Sequence, residues 1–246
     1  MAGEGSGKPQ PAGVLYVCSS ADADGGMELF TLELVRLSVA RWRTHVLLPE
    51  EGPLAAAARA AGASVHVTPY RRLRRLRSIT DLPAFLFGWL RLERRLTQLI
   101  REHEIKLVHF GENIDAFFVP AARWAGAGVV VRCNFVPHSG PARWVLSRLT
   151  RALAHRVLCI SKATIRLLYG PSGESHPKIV LLRSGGPDPA VFSPETPPYP
   201  LRAERHLAAD TLVLGMVARF LPDKGTTASW TWRRRCCDAS LGAITF

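Results

Sequence analysis

Two cations near the end of the chain have the types and the spacing of a diphosphate-binding pair. The stretch 211–225 reads TLVLGMVARFLPDKG, in which an apolar run is followed by Arg219, a Pro-Asp turn and Lys224. A short apolar run that ends in turn residues is typical of a buried parallel strand leading into a loop. Arginine offers a planar fork of donors and lysine a point charge, and both suit phosphate oxygens. An ordinary solvated loop with two basic residues is the alternative.

A glycine pair near the start of the chain could also approach an anion. An apolar run at 14–18 leads into a polar loop, then Gly25 and Gly26, then apolar residues at helical spacing. A helix that begins at glycines presents free backbone N–H groups and the positive end of its dipole. A tight turn without a ligand is the alternative. The three-glycine dinucleotide fingerprint is absent, so we do not expect a nicotinamide or flavin site.

The composition limits the class of protein and its partners. The chain has 246 residues, 47% of them hydrophobic, and a net charge of +12, so it can form a large core and favours anionic partners. Its five cysteines form no CxxC pair, which favours free buried thiols in a reducing cytoplasm over disulfides or a zinc site. Residues 1–12 are predicted to be a flexible tail rather than a signal peptide. We therefore expect no bound metal and a cytoplasmic location.

Apolar runs of strand length alternate with helical patterns over residues 13–192. This order predicts an α/β fold, a Rossmann-like and mainly parallel sheet flanked by helices. The pattern within it includes a helix over 114–124 and a helix over 162–168 that Ser161 can cap. A proline-rich linker is predicted over 193–210, with a short helix at 201–207, and the first strand and loop of a second domain over 211–225.

The stretch 217–225 resembles the start of the donor-binding domain in family 4 glycosyltransferases, retaining sugar-nucleotide enzymes with the two-domain GT-B fold. The family pattern is Val-Gly-Arg-Leu, a short turn and Glu-Lys-Gly, and the chain reads VARF at 217–220 and DKG at 223–225. The resemblance extends over roughly residues 13–225. It implies that Arg219 and Lys224 bind the donor diphosphate and that Gly25 and Gly26 form the loop nearest the phosphates. The fold it implies is the first half of GT-B with an incomplete second domain.

Two further loops carry candidates for the acceptor and the sugar. The strand IKLVHF at 105–110 resembles the family's Pro-Asp-(Ile/Val)-Val-His strand, and His109 holds the histidine position. Glu112 and Asp115 follow it at the carboxyl end of a parallel strand, where ligands gather, so His109 and Glu112 are predicted on the acceptor side. Many relatives carry a functional histidine after the strand at 129–132, where this chain has Asn134, with His138 four residues later. The resemblance implies that Asn134 or His138 lies near the sugar; structural or inert loop residues are the alternative.

The segment 70–100 combines charge with apolar residues. RRLRRLR at 71–77 precedes an apolar and aromatic run at 82–90. Such a segment suits the surface of an anionic membrane, whereas a helix packed on the sheet with its arginines in water is the preferred interpretation. No nucleic-acid-binding motif accompanies the charge, so a nucleic-acid partner is disfavoured.

The last stretch, TTASWTWRRRCCDASLGAITF at 226–246, has neither helical nor strand periodicity. We interpret it as an aberrant, disordered tail that follows a frame shift or truncation near Thr226, with a natural variant terminus as the alternative. The family's downstream Glu-x7-Glu motif is absent.

The resemblance implies transfer of a sugar from a nucleotide-diphosphate sugar to an acceptor glycan or a lipid-linked acceptor, with retention and without a cofactor. Fixed cations and helix N-termini would stabilise the departing diphosphate. The truncated chain is expected to be inactive or impaired. The alternative function is a non-catalytic acceptor-domain fragment that binds a membrane surface or a partner.

Overall fold

The computed structural model describes residues 11–69, 82–134, 136–137, 140–183, 190, 192–197 and 199–213. The arginine run 71–77, His138, the Arg219–Lys224 pair and the tail 226–246 lie outside these residues. The chain divides into two compact units, Met1–Gly185 and Gly186–Phe246.

Seven strands form one sheet in the first unit, in the order β3-β2-β1-β4-β5-β6-β7. Every neighbouring pair is parallel. The predicted α/β fold with a Rossmann-like sheet is therefore confirmed, and the sheet is parallel throughout. The strands are β1 Gly13–Val17, β2 Arg43–Leu48, β3 Ser64–Val67, β4 Ile105–Phe110, β5 Gly128–Cys133, β6 Arg156–Cys159 and β7 Ile179–Leu181.

Helices cover the two faces of this sheet. Leu32 of α1 and Leu54 of α2 join one buried cluster, and Leu96 of α3 and Ile165 of α6 join the other. Along β1 the side chains alternate between the clusters, since Leu15 belongs to one and Tyr16 to the other. A parallel strand covered on both faces reads as a continuous apolar run, as GVLYV does. The helices are α1 Gly26–Val39, α2 Pro53–Ala60, α3 Leu82–Glu102, α4 Val119–Trp124, α5 Gly140–Leu153 and α6 Lys162–Tyr169.

The segment 82–102 is the helix α3. Its second half packs on the sheet, because Leu92, Leu96 and Leu99 are fully buried. Its first half is more exposed, and Phe87 has 70% of its surface accessible. None of the helices among the described residues is both long enough and apolar enough to cross a membrane.

The helix predicted over 114–124 is two helices. A 3₁₀ helix runs over Asn113–Phe118 and the α-helix begins at Val119. Pro120 occupies the first turn of α4. Proline has no N–H to donate and is tolerated only at the start of an α-helix, so a continuous α-helix over the whole segment would lack a hydrogen bond at this point.

Ser161 caps α6 as predicted. Its hydroxyl oxygen accepts a hydrogen bond of 3.0 Å from the backbone N–H of Thr164. In the second unit the short helix α7, Leu201–Glu204, is shorter than the predicted 201–207. The Tyr199 hydroxyl donates to Glu204 at 2.7 Å, and no residue of α7 is buried.

Candidate functional site

The chain order of the sheet reverses between β1 and β4, which lie side by side although they are far apart in sequence. In doubly wound sheets, ligands bind at the carboxyl ends of the strands beside such a reversal. The loop after β1 contributes Ser19, and the loop after β4 contributes Glu112. The Ser19 hydroxyl donates a hydrogen bond of 2.7 Å to Oε2 of Glu112. This bond spans the crevice and fixes a half-buried carboxylate at its edge.

The helix α1 begins at this crevice. Gly25 is its N-cap, with extended backbone and no side-chain cap, and Gly26 is its first residue. A side chain on Gly25 would overlap Oε2 of Glu28, whereas one on Gly26 would meet no atom within 4 Å. The Glu28 carboxylate therefore folds back over the first turn of its own helix, where the positive end of the dipole favours negative charge. Among the residues that the structure describes, none covers the Gly26 side of the helix start.

Carboxylates dominate the electrostatics beneath the crevice. Burial is the main reason that the pKa of the Cys18 thiol is raised to about 12, and a hydrogen bond with Thr31 opposes the shift. The negative charges of Asp115, Glu28 and Glu112 raise this pKa further. Three carboxylates thus lie near one buried thiol directly after β1. The thiol is not a nucleophile, because a Cys with a raised pKa stays protonated at neutral pH.

A buried cation lies in β5, the strand next to β4. Arg132, in β5, is 4% exposed, and its guanidinium carbon stands 3.6 Å from the centre of the Phe30 ring of α1. Burial lowers the pKa of Arg132. Arg132 was not among the predicted site residues, although a single arginine within the apolar run GVVVRC is a visible signal.

His109 lies within β4, in the strand predicted over 105–110. The ring is 5% exposed and packs edge-on against Tyr16, with 5.5 Å between ring centres. Neither ring nitrogen has a hydrogen-bond partner among the described residues. Burial, with a smaller contribution from the Arg132 cation, lowers the pKa of His109 to about 4. The imidazole is therefore neutral at pH 7.

Asn134 follows β5 directly and stands at the same edge of the sheet. The register pairs Phe110, the last residue of β4, with Val131, so β5 continues to Cys133 beyond the end of β4 and Asn134 stands past that level. Oδ1 of Asn134 is buried and has no hydrogen-bond partner among the described residues. A buried acceptor without a partner is uncommon in proteins and suits a ligand that supplies a donor.

The structure thus brings four predicted residues to one edge of the sheet: Gly25, Gly26, Glu112 and Asn134. It places His109 beneath that edge, and His138, Arg219 and Lys224 lie outside the described residues. Ser19, Glu28 and Arg132 join the crevice without having been predicted. No group of three metal-ligating side chains lies at the crevice within the part of the chain that the structure describes.

Comparison with known proteins decides the family. The sequence profile of Glycosyltransferase Family 4 matches residues 24–185, which is more than half of the chain. The chain belongs to this family. A search of curated proteins finds no match.

Solved structures of GT-B glycosyltransferases share the fold of this family 4 chain. Anabaena Alr3699/HepE in complex with UDP and glucose has a TM-score of 0.62 at 18% identity, over 91% of this chain and 58% of that one. A glycosyltransferase from Rickettsia africae has a TM-score of 0.58 at 17% identity, over 87% and 55%. The lipopolysaccharide outer core galactosyltransferase WaaB has a TM-score of 0.54 at 13% identity, over 76% and 49%. The family 4 chain therefore spans about half the length of these structures.

Proposed function

We propose that the chain transfers a sugar from a nucleotide-diphosphate sugar to an acceptor hydroxyl, with retention at the anomeric carbon. The observation that carries the proposal is the Ser19–Glu112 hydrogen bond of 2.7 Å across the crevice of a family 4 sheet. It holds the loops after β1 and β4 together where ligands of this fold class bind. The complex of Alr3699/HepE with UDP and glucose supports a nucleotide-sugar donor.

The distribution of charge suggests where the donor and the acceptor would each bind. Glu28, Glu112 and Asp115 place negative charge around Cys18 beneath the loops, and Arg132 is a buried cation in the neighbouring strand β5. Carboxylates accept hydrogen bonds from hydroxyl groups but repel a diphosphate at close range. The crevice therefore suits a hydroxyl-bearing acceptor, with Glu112 as its contact. The diphosphate requires cations, which Arg219 and Lys224 would supply, and the open N–H groups beside Gly26 would assist them.

The sugar would lie beside Asn134. Its unpartnered Oδ1 can accept a hydrogen bond from a sugar hydroxyl, and His138 is the other candidate in the same loop. His109 is buried and neutral, so we assign it to positioning this edge of the sheet through Tyr16 rather than to the transfer of a proton.

Titration calorimetry of the full chain with UDP- and GDP-sugars tests donor binding. We expect saturable binding that is lost in Lys224→Ala and kept in Lys162→Ala, a control at an exposed lysine of α6. A folded chain that binds neither donor, or binds equally well in Lys224→Ala, would contradict the assignment of the diphosphate site. It would support the alternative of a non-catalytic fragment.

The stereochemistry has its own test. Once a donor and an acceptor are turned over, NMR of the first product formed reports the configuration at the anomeric carbon. Retention is expected; an inverted product would refute the proposed mechanism without affecting the assignment of the family.

Peripheral contact with an anionic membrane is a second proposal, supported by the first half of α3. Leu86, Phe87 and Leu90 are 44–70% exposed, and the exposed Arg91 and Arg94 follow on the same helix. Apolar side chains beside arginines favour the interface of an acidic bilayer. Cys18, Cys133 and Cys159 are buried thiols outside any disulfide, which supports the cytoplasmic side.

Vesicle co-sedimentation tests this contact. We expect binding to vesicles that contain acidic lipid, weakened by salt and by Phe87→Ser. The control Trp124→Ser changes an exposed aromatic residue of α4 and should bind as the native chain does. Equal binding by the two variants, or none by the native chain, would refute membrane contact through α3.

A further inference from the structure

Three histidines from separate elements meet near the edge of the sheet where the strands begin, opposite the crevice. His45 lies in β2, His66 lies in β3, and His103 lies between α3 and β4. When one ring nitrogen is taken from each histidine, the three nitrogens all lie within 4.8 Å of one another. Nδ1 of His45 and Nε2 of His66 are 3.1 Å apart. The parallel register sets Leu47 opposite His66, so His45 and His66 are diagonal neighbours on adjacent strands.

The spacing of the three rings fits one tetrahedral metal ion. Bonds of about 2.0–2.1 Å from zinc to imidazole separate two ligand nitrogens by about 3.3–3.4 Å. The distance between His45 and His66 is close to this value. The three ring centres are 4.6 to 5.4 Å apart, so each ring is in contact with both others. His103 is half-exposed, and its side chain would have to move closer to the other two rings on binding an ion.

The charged side chains around the histidines nearly cancel one another. Arg43 and Arg95 would repel a dication. Arg43 is paired with Glu104 at 3.1 Å, and Arg95 lies 3.7 Å from Glu102. The electrostatic cost of a divalent ion here is consequently small.

We propose that His45, His66 and His103 bind one divalent transition-metal ion, zinc foremost, with water as the fourth ligand. Nitrogen ligands favour zinc and its neighbours over magnesium or calcium. His66 and His103 are half-exposed, so the fourth position is open to solvent. Since β3 is an edge strand, the ion would tie this strand to β2 and to the connection between α3 and β4. The role is structural and independent of the proposed glycosyl transfer.

Metal titration of the full chain tests the site. After removal of metals with EDTA, Co²⁺ is added and its visible absorption is followed, and Zn²⁺ binding is measured by calorimetry. We expect one equivalent of each metal and a rise in the Tm with zinc. His66→Gln and His103→Gln should each weaken zinc binding by at least about 10-fold. Loss of a residue that only supports a metal ligand already lowers metal affinity by about this factor, and loss of a ligand should cost at least as much. Both variants should abolish the rise in Tm. The control His206→Gln, at an exposed histidine of the second unit, should bind as the native chain does.

Cysteines are the competing ligands in this chain. Cys236 and Cys237 are adjacent in the sequence, so a variant with both changed to serine accompanies the histidine variants. The proposal is overturned if the folded native chain binds neither metal, or if binding is lost in the serine variant and unchanged in both histidine variants. If both histidine variants fail to fold, the cobalt spectrum of the native chain decides, because thiolate ligands add intense charge-transfer absorption that imidazoles do not. Thiolate absorption would refute the site, and tetrahedral cobalt bands without it would support the site.

Discussion

At the scale of single residues, the crevice is defined by carboxylates and by the glycines that begin α1. Glu28 is the residue that links the two features. Its carboxylate folds over Gly25, so it occupies the part of the helix start where a phosphate could otherwise bind. The helix dipole therefore stabilises an internal anion in the structure. A donor phosphate that approaches Gly26 would experience this negative charge at short range.

Glu28→Gln tests this competition. Removing one negative charge a few ångströms from a diphosphate should strengthen donor binding by about 1 kcal/mol, roughly fivefold. The same change should lower the free energy of unfolding by about 0.3–1 kcal/mol, because the first turn loses its acidic residue. Calorimetry with UDP measures the first effect and urea denaturation the second.

Glu33→Gln is the matched control, on the same helix but exposed and paired with Arg36. It should leave UDP binding unchanged. Weaker binding in Glu28→Gln than in the control would show that Glu28 supports the donor site instead of opposing it.

At the scale of elements, α3 divides into two halves with different environments. Its second half supplies fully buried leucines to the core, whereas its first half presents Leu86, Phe87 and Leu90 to solvent. The helix thus has a part that stabilises the fold and a part available to a partner. The preferred interpretation of the sequence, a helix packed on the sheet, is confirmed for the second half.

Two leucine substitutions in α3 should separate these parts. Leu96 is 1% exposed within the core, so Leu96→Ala should lower the free energy of unfolding by about 2–5 kcal/mol through lost burial and a cavity. Leu90 is 46% exposed, so Leu90→Ala should change it by less than about 0.5 kcal/mol. Urea denaturation followed by circular dichroism measures both. Similar losses in the two variants would mean that the first half of α3 is packed as firmly as the second.

At the scale of the whole molecule, the sheet carries three histidines with lowered pKa values. Burial is the largest cause for His45, His66 and His109, and each pKa falls from 6.5 to about 4. Between these values the unfolded chain binds more protons than the folded chain. The stability that depends on neutral histidines is therefore complete above pH 6.5 and is lost as the pH falls towards 4.

Acid should accordingly destabilise the metal-free chain before its carboxylates titrate. A fully buried histidine such as His109 contributes a slope of up to about 1.4 kcal/mol per pH unit. Urea denaturation in EDTA should show that the free energy of unfolding decreases as the pH is lowered from 6.5 to 5. In His109→Leu the free energy of unfolding should depend less steeply on pH. An unchanged slope in this variant, with His206→Gln as the reference, would mean that His109 does not titrate in this range.

The whole-molecule fold was largely predictable because each strand carries its own signal. A parallel strand covered on both faces is mostly apolar, and GVLYV shows this along its whole length, whereas IKLVHF shows it outside the exposed Lys106. The exceptions have local causes. Pro120 divides the helix predicted over 114–124, since α4 can begin at a proline but cannot continue through one.

The candidate site was predictable only in part. Gly25, Gly26, Glu112 and Asn134 follow strands, and the carboxyl ends of parallel strands share one edge of the sheet. Arg132 and His109 belong to strands themselves, where the residue type does not reveal which face a side chain occupies. Their burial, and the contact between Arg132 and Phe30, depend on the packing of α1 against the sheet.

Local periodicity and short motifs are enough to predict the α/β class, the family and the loops at which ligands are expected. Which distant residues meet is visible only in the folded chain. The reversal of strand order joins Ser19 to Glu112, 93 residues apart. The pairing of β2 with β3 brings His45 next to His66, and His103 joins them at the end of α3. Contacts of this kind depend on strand order and register. These are fixed when the apolar faces of the whole sheet are buried together, so they cannot be predicted from any single segment.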